Sequence, residues 1–220
     1  MSAWDNQTPN WLRFLERRFQ WIAVPNIAVI FVTLQALGTL MVMSNPAWAS
    51  RLALIPDAVR AGEFWRLVTF LALPLSLSPI WVIFALWFLY YILNLIENEW
   101  GEFKTTLYTL VSILVTIAFS FAFDYPVTSV QHFQSSLFLA AAALYPETEV
   151  SLFMIVPVKI KWLAWFTGAL VLLEFVRGDW MDRLFLISIY SNFLVFFGPA
   201  VLSRLRQHWR RKRFQRSFRD

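Results

Sequence analysis

Long apolar stretches separated by short polar segments dominate the pattern of this chain. A helix needs about 17 to 25 mostly apolar residues to cross roughly 30 Å of hydrocarbon. Six stretches approach this length, at residues 24–43, 80–96, 107–123, 130–145, 160–176 and 184–202. The fourth is the shortest and opens on polar residues, and its alanine run at 140–143 suits close helix packing. The pattern predicts an all-α membrane protein with a bundle of six transmembrane helices.

Two further apolar segments are too short or too interrupted to cross a membrane. Residues 64–77 contain Arg66 and Pro74, and Pro79 follows them, so we expect an interfacial or partly re-entrant loop after the first span. Residues 151–158, broken by Pro157, are also expected at the interface. Residues 1–21 lack the apolar core of a signal peptide and are predicted to form a cytoplasmic amphipathic segment. The membrane domain then covers 22–205, and 206–220 form a basic cytoplasmic tail.

Composition strengthens the membrane interpretation and removes several kinds of chemistry. The chain is 59% hydrophobic and only 15% charged, whereas soluble domains carry about 25% charged residues. It has no Cys, which excludes disulfides, thiolate metal sites and a Cys nucleophile. No His and carboxylate spacing suggests a metal site, so neither a metal nor a cofactor is expected. The net charge of +5 does not indicate nucleic acid, because the basic residues flank apolar segments. The expected partners at this point are membrane lipids.

Orientation follows from the distribution of Lys and Arg near the ends of the spans. With the amino terminus inside, the inside segments hold 14 of them and the outside segments hold 5, which together make the 19 of the chain. An odd number of spans would leave one basic terminus outside. We therefore expect both termini in the cytoplasm, and the short loops and absence of Cys suggest a bacterial inner membrane.

Two sequence motifs resemble those of the rhomboid-like superfamily, which includes rhomboid proteases and derlins. Residues 62–74 read G-E-F-W-R-L-V-T-F-L-A-L-P, like the W-R-x-x-T segment after the first rhomboid helix. Residues 97–108 read E-N-E-W-G-E-F-K-T-T-L-Y, like the rhomboid turn between the second and third helices. The resemblance implies a six-helix rhomboid-like bundle whose structural motif residues are Trp65, Arg66, Thr69, Glu97 and Gly101.

These motif residues also have physical roles that the sequence predicts directly. Trp65 suits the headgroup zone, and Arg66 is expected to donate hydrogen bonds to loop carbonyls or lipid phosphate. Glu97 is predicted to cap the start of the third helix, where negative charge is favourable. Gly101 permits a tight turn.

The resemblance implies proteolysis only where the catalytic residues are present. Rhomboid proteases place a Ser in G-x-S-G at the fourth helix, a His in the sixth, and oxyanion donors as H-x-x-x-N in the second. Aligned from Glu97, the H-x-x-x-N positions fall on Trp81 and Ala85. No G-x-S-G occurs, and the nearest hydroxyls are Ser135 and Ser136. The position of the sixth-helix His falls on Ser191 or Asn192. These two residues either form hydrogen bonds to other helices or lie at the floor of a relic site.

A weaker catalytic candidate is a His132–Ser136 pair at i,i+4 on one helix. Its orienting carboxylate would have to be Asp124, reaching across a loop. The alternative is a polar cap on the outer end of the fourth helix. Nearby, Glu174 is expected to pair locally with Arg177.

The sequence therefore predicts a rhomboid-like pseudoprotease that binds transmembrane segments or lipids and handles membrane clients, without enzymatic activity. Two alternatives stay open: a divergent but active intramembrane serine protease, and a small solute transporter or channel. The sequence leaves the client and the oligomeric state open.

Overall fold

The structure, a computed structural model, describes residues 10–152 and 156–217, with side chains considered for 11–150 and 157–198. Ten helices and one pair of strands are assigned within these ranges. In chain order they are α1 (Asn10–Phe19), α2 (Ile27–Ser44), α3 (Ala47–Leu52), α4 (Pro56–Arg60), α5 (Arg66–Thr69), α6 (Pro79–Trp100), α7 (Glu102–Phe123), α8 (Gln131–Leu144), β1 (Glu149–Leu152), β2 (Val156–Lys159), α9 (Ile160–Arg177) and α10 (Trp180–Ser217). Short 3-10 turns cover Gln20–Ile22 and Phe70–Ala72.

Six helices, α2 and α6 to α10, coincide with the six apolar stretches. Among the described residues, four segments are long and apolar enough to cross a membrane: Ile27–Ser44, Pro79–Trp100, Glu102–Phe123 and Trp180–Gly198. The 14 residues of α8 reach only about 21 Å, and the 18 residues of α9 include Lys161, Glu174 and Arg177. The chain is therefore a multi-pass helical membrane protein, while the count of six spans stays a prediction.

The short helix α8 lies at the centre of the bundle and packs against α6, α7, α9 and α10. Its alanine run is buried, with Ala140 and Ala141 fully inaccessible. Because a methyl side chain lets helix backbones approach closely, this run lets α8 occupy the centre.

The predicted loop after the first span contains α3, α4 and α5 and the turn Phe70–Ala72, which packs against the middle of α2. The Gln35 amide of α2 donates to the carbonyls of Leu71 and Leu73 at 3.2 and 3.3 Å. This contact lies halfway along α2, while the expected interfacial or partly re-entrant location of the loop stays a prediction.

Residues 149–152 and 156–159 form two paired strands, a pairing that the sequence did not predict, while the interfacial location expected for 151–158 stays a prediction. Strands β1 and β2 pair antiparallel, with Glu149 opposite Lys159. Val150 and Val158 are β-branched and favour extended backbone, and the Glu147 carboxylate binds Lys159 and Lys161 at 3.0 and 2.6 Å. These two lysines hold the pKa of Glu147 below its usual value.

Helix α10 continues past residue 202, where the last span is predicted to end, and the domain boundary after 205 stays a prediction. Its backbone continues to Ser217, through most of the basic segment 206–220. At the other end of the chain, α1 begins within the predicted amphipathic segment 1–21, of which residues 1–9 lie outside the described part.

Candidate functional site

A cavity of about 600 Å³ lies between α6, α8 and α9. It brings together three of the positions that the resemblance associates with catalysis: Trp81 and Ala85 on α6 and Ser135 on α8. The remaining three, Ser136, Ser191 and Asn192, do not line it. The predicted relic site is therefore split between two places.

The walls of this cavity differ in chemical character. Helix α6 contributes aromatic rings, including Phe84 and Phe88, whereas α8 contributes the side chains of Gln131, Gln134 and Ser135. The Ser135 hydroxyl donates to the Gln131 carbonyl of its own helix. Among the described side chains that line the cavity, none carries a charge. The cavity thus has an apolar α6 wall and an α8 wall on which three uncharged polar side chains lie beside Phe138.

The cavity is open between α6 and α9 because α9 packs against only part of the bundle. Helix α9 packs against α8 and α10 and hardly touches α6. Ile160 is the one buried residue assigned to α9, and Trp165 is 75% exposed. The gap between α6 and α9 therefore connects the cavity with the surroundings of the bundle.

The other face of α8 carries a buried polar cluster that joins three helices. The hydroxyls of Ser136 on α8 and Tyr108 on α7 lie 2.5 Å apart. The Asn192 amide on α10 donates to the Tyr108 carbonyl at 3.1 Å and to the Ser112 hydroxyl at 2.6 Å. The Ser191 hydroxyl instead donates to Ser188 of its own helix at 2.7 Å. The Asn192 side chain therefore joins α10 to α7 by hydrogen bonds.

The proposed His132–Ser136 hydrogen bond is not formed. The imidazole Nε2 of His132 lies 3.3 Å from Glu174 Oε1 on α9, and Nδ1 is buried without a hydrogen-bond partner among the described residues. The His132 ring packs edge-on against Phe185 of α10, with 5.9 Å between centroids. Because the imidazole is turned towards α9 and α10, it points away from the hydroxyl of Ser136.

The carboxylates around His132 also differ from those expected. Asp124 binds Arg60 at 2.5 Å rather than reaching the imidazole. Glu174 pairs with His132, which corrects the local pair predicted with Arg177. Beside them, the Tyr125 hydroxyl donates to Asp182 at 2.9 Å. Burial, together with this bond, raises the pKa of Tyr125 to about 12.

The first rhomboid-like motif forms a clamp inside the first loop. Arg66 is buried, and its guanidinium donates to the carbonyls of Ser50 and Ala53 at 2.6 and 2.8 Å. It also pairs with Glu63 at 2.6 Å, and the Thr69 hydroxyl donates to the Leu52 carbonyl at 3.3 Å. Of the two roles expected for Arg66, the structure shows hydrogen bonding to loop carbonyls. Trp65 is 56% exposed beside it.

The second motif contains one correction. Glu97 accepts a hydrogen bond from the backbone N–H of Asn26 at 2.8 Å and thus caps the start of α2, not the start of α7. Gly101 lies in the turn between α6 and α7 with φ 85°, a conformation that favours glycine. The Glu97 carboxylate reaches α2 because the start of α2 lies beside the last turns of α6.

Sequence reasoning missed the hydroxyl stripe of α7. Its buried members recur every three or four residues, namely Thr105, Thr109, Ser112, Thr116 and Ser120. This helical spacing was the available signal, because buried hydroxyls in membrane helices commonly face neighbouring helices. Among the residues that the structure describes, no group of three or more His, Cys, Asp or Glu is placed to hold a metal ion.

Comparison with known proteins gives one family. No curated protein and no solved structure matches the chain. Residues 26–198, more than three quarters of the chain, match the family described as "Eukaryotic integral membrane protein (DUF1751)". The eukaryotic description does not fit the expected bacterial inner membrane, although the integral membrane location stands. The chain therefore belongs to this family of eukaryotic integral membrane proteins, which is classed with the rhomboid-like families.

Proposed function

We propose that this protein is a non-proteolytic member of the rhomboid-like proteins that binds transmembrane segments of client proteins between α6, α8 and α9. One observation carries the proposal. The positions at which the resemblance implies oxyanion donors are Trp81 and Ala85, and they form part of an aromatic and apolar wall. A cavity of this kind is suited to binding an apolar segment.

The arrangement of hydroxyls and imidazole argues against serine proteolysis. A serine nucleophile needs a base that takes its proton and donors that stabilise the oxyanion. Ser136 is fully buried against Tyr108, and Ser135 is bonded to its own helix. The imidazole of His132 faces Glu174. Neither serine therefore has the base that an active but divergent protease requires.

The chemistry of the cavity favours a particular kind of segment. Lipid tails are as apolar as Leu, so an entirely apolar helix gains little by leaving lipid. A client helix with an uncharged polar residue gains hydrogen bonds to Gln131, Gln134 or Thr167. The gap between α6 and α9 gives such a helix lateral access. Client handling, including membrane-protein quality control, is the role that the resemblance implies for such binding.

A photocrosslinking experiment tests this proposal with a defined probe. The full chain, carrying a photoreactive residue at Thr167 in the cavity, is reconstituted with a single-span polyleucine peptide that has one central Asn. We expect crosslinking to exceed that of the all-Leu peptide. The matched control position is Leu40, which is 64% exposed on α2 and does not line the cavity.

A pair of substitutions separates cavity binding from a general effect of bulk. Ala85→Trp fills the cavity and is expected to reduce crosslinking of the Asn peptide at least severalfold. Ala118→Trp adds the same volume at an exposed position of α7 and is expected to leave crosslinking of the Asn peptide unchanged. Equal crosslinking at Thr167 and Leu40 would remove the proposal. Cleavage of the peptide, or serine labelling by a fluorophosphonate, would instead establish an enzyme.

A further inference from the structure

A second cavity, of about 750 Å³, lies between α2, α3 and α5. It shares no lining residue with the cavity between α6, α8 and α9. One end is formed by Trp48 and Arg51 of α3 and by Trp65, all beyond the end of α2 at Ser44. The other end follows α2 back towards its middle. We refer to it as the α2–α3 groove.

Among the described residues that line the polar end of the α2–α3 groove, Arg51 is the one charged side chain for which no ion pair is seen. Arg66 and Glu63 both line the groove, but they neutralise each other in their 2.6 Å ion pair. Arg51 is exposed, and its guanidinium lies over the ring of Trp48, 5.3 Å from the centroid. A planar guanidinium held beside an aromatic ring is preorganised to donate paired hydrogen bonds to a phosphate.

The apolar end of the groove is formed by Leu34, Leu37 and Met41 along one side of α2. These residues span about 10 Å of helix, counted from the rise per residue. Leu37 is 56% exposed, so this wall is not covered by another part of the described chain. The groove therefore changes from cationic to apolar along the direction in which a membrane helix runs.

We infer that the α2–α3 groove binds one glycerophospholipid, with its phosphate at Arg51 and an acyl chain along α2. Trp rings concentrate at headgroup depth, which matches Trp48 and Trp65 at the polar end. The volume lies within the roughly 300 to 1,000 Å³ of small-molecule sites. The site is separate from the proposed client cavity, and neither proposal rests on the other.

The test compares lipid binding by the purified full chain in a neutral detergent, measured by native mass spectrometry. Phosphatidylglycerol is the probe, and a diacylglycerol glucoside without phosphate is its matched control. Arg51→Gln is expected to weaken phosphatidylglycerol binding about tenfold, the loss expected for one charge-assisted contact. Arg177→Gln, at an exposed position that lines neither cavity, is expected to bind as the unmodified chain does.

Further outcomes decide the identity of the ligand. Leu37→Trp keeps every charge and blocks the apolar end, so it is expected to weaken lipid binding even if Arg51→Gln fails to fold. Thermal unfolding shows whether both variants are folded. If they are, equal binding of phosphatidylglycerol by Arg51→Gln and Arg177→Gln would overturn the inference. Equal affinity for the glucoside would overturn the phosphate contact. Displacement of the lipid by equimolar glycerophosphate would assign the site to a free phosphate instead.

Discussion

Gly38 shows how one residue determines the packing of the first loop. A Cβ atom at this position would lie 2.0 Å from the carbonyl oxygen of Ala72 and 2.7 Å from its carbonyl carbon. Both obstructing atoms belong to the backbone, so they cannot be relieved by rotating a side chain. Glycine is therefore required for the loop to reach the Gln35 amide in the middle of α2.

We expect Gly38→Ala to lower the free energy of unfolding by about 1 to 3 kcal/mol, the cost of overpacking a close contact. Gly168→Ala is the matched control, because a Cβ on this α9 residue meets nothing within 4 Å. That control is expected to be neutral or stabilising by up to about 1 kcal/mol, since Ala favours helix. Thermal unfolding in detergent measures both, and equal stabilities would contradict the close contact.

Ser135 and Ser136 illustrate how neighbouring residues acquire unrelated roles. Successive side chains on a helix point about 100° apart. Ser135 consequently faces the cavity, whereas Ser136 faces the hydroxyl of Tyr108 on α7. Hydroxyls that look equivalent in the sequence are thus an accessible cavity group and a buried structural one.

At the scale of elements, α8 separates the cavity from the polar cluster. One of its faces carries Gln131, Gln134 and Ser135 into the cavity, and an adjacent face carries Ser136 into the cluster with Tyr108. Helix α8 packs on four other helices, so both faces lie within the interior of the bundle.

The polar cluster predicts a difference between two adjacent residues of α10. Asn192→Ala removes the bonds to Tyr108 and Ser112 on α7 and is expected to cost about 1 kcal/mol of stability. Ser191→Ala removes only a bond within α10 and is expected to change stability by less than about 0.5 kcal/mol. Unfolding of the two variants in detergent is the measurement, and equal losses would show that the interhelical bonds contribute nothing.

Helix α9 depends on a small number of contacts. Its His132–Glu174 pair joins it to α8 beside the ring of Phe185, while most of its apolar side chains are exposed. A helix with this exposure is suited to face lipid. The proposed client cavity therefore lies beside a helix that is held by contacts with α8 and α10 and hardly touches α6.

At the scale of the whole molecule, the side of the membrane on which the β1–β2 hairpin lies distinguishes four spans from six. If only the four longest apolar helices cross the membrane, everything between α7 and α10 lies outside when the amino terminus is inside. If α8 and α9 also cross, the hairpin between them lies inside. The position of β1 thus decides the span count, independently of any functional assay.

Because the chain has no Cys, a single introduced thiol reports its location without interference. Under six spans, we expect Glu149→Cys to resist a membrane-impermeant maleimide added to sealed vesicles from the side opposite the amino terminus, and we expect the same of Asn98→Cys near the α6–α7 turn. Asp57→Cys in α4 is expected to react. All three positions are exposed in the structure. Reaction of Glu149→Cys together with Asp57→Cys would establish that α8 and α9 do not both cross.

The sequence by itself determined the location of the long helices, the turn at Gly101 and the absence of a G-x-S-G motif. These features depend on local information: the length of apolar runs, the conformational freedom of glycine, and which residue occupies each motif position. The pairing of residues 149–152 with 156–159 was not predicted, because a short apolar segment does not reveal whether it pairs with a neighbour.

Only the tertiary structure decided which polar groups meet. The bonds between Ser136 and Tyr108, Asn192 and Ser112, and Glu97 and Asn26 join residues that are 28, 80 and 71 positions apart. Helical periodicity limits which side of its helix each residue occupies, but not which neighbouring helix that side faces. That choice depends on how the helices rotate and pack against one another, so it separated Ser136 from His132 and divided the predicted site in two.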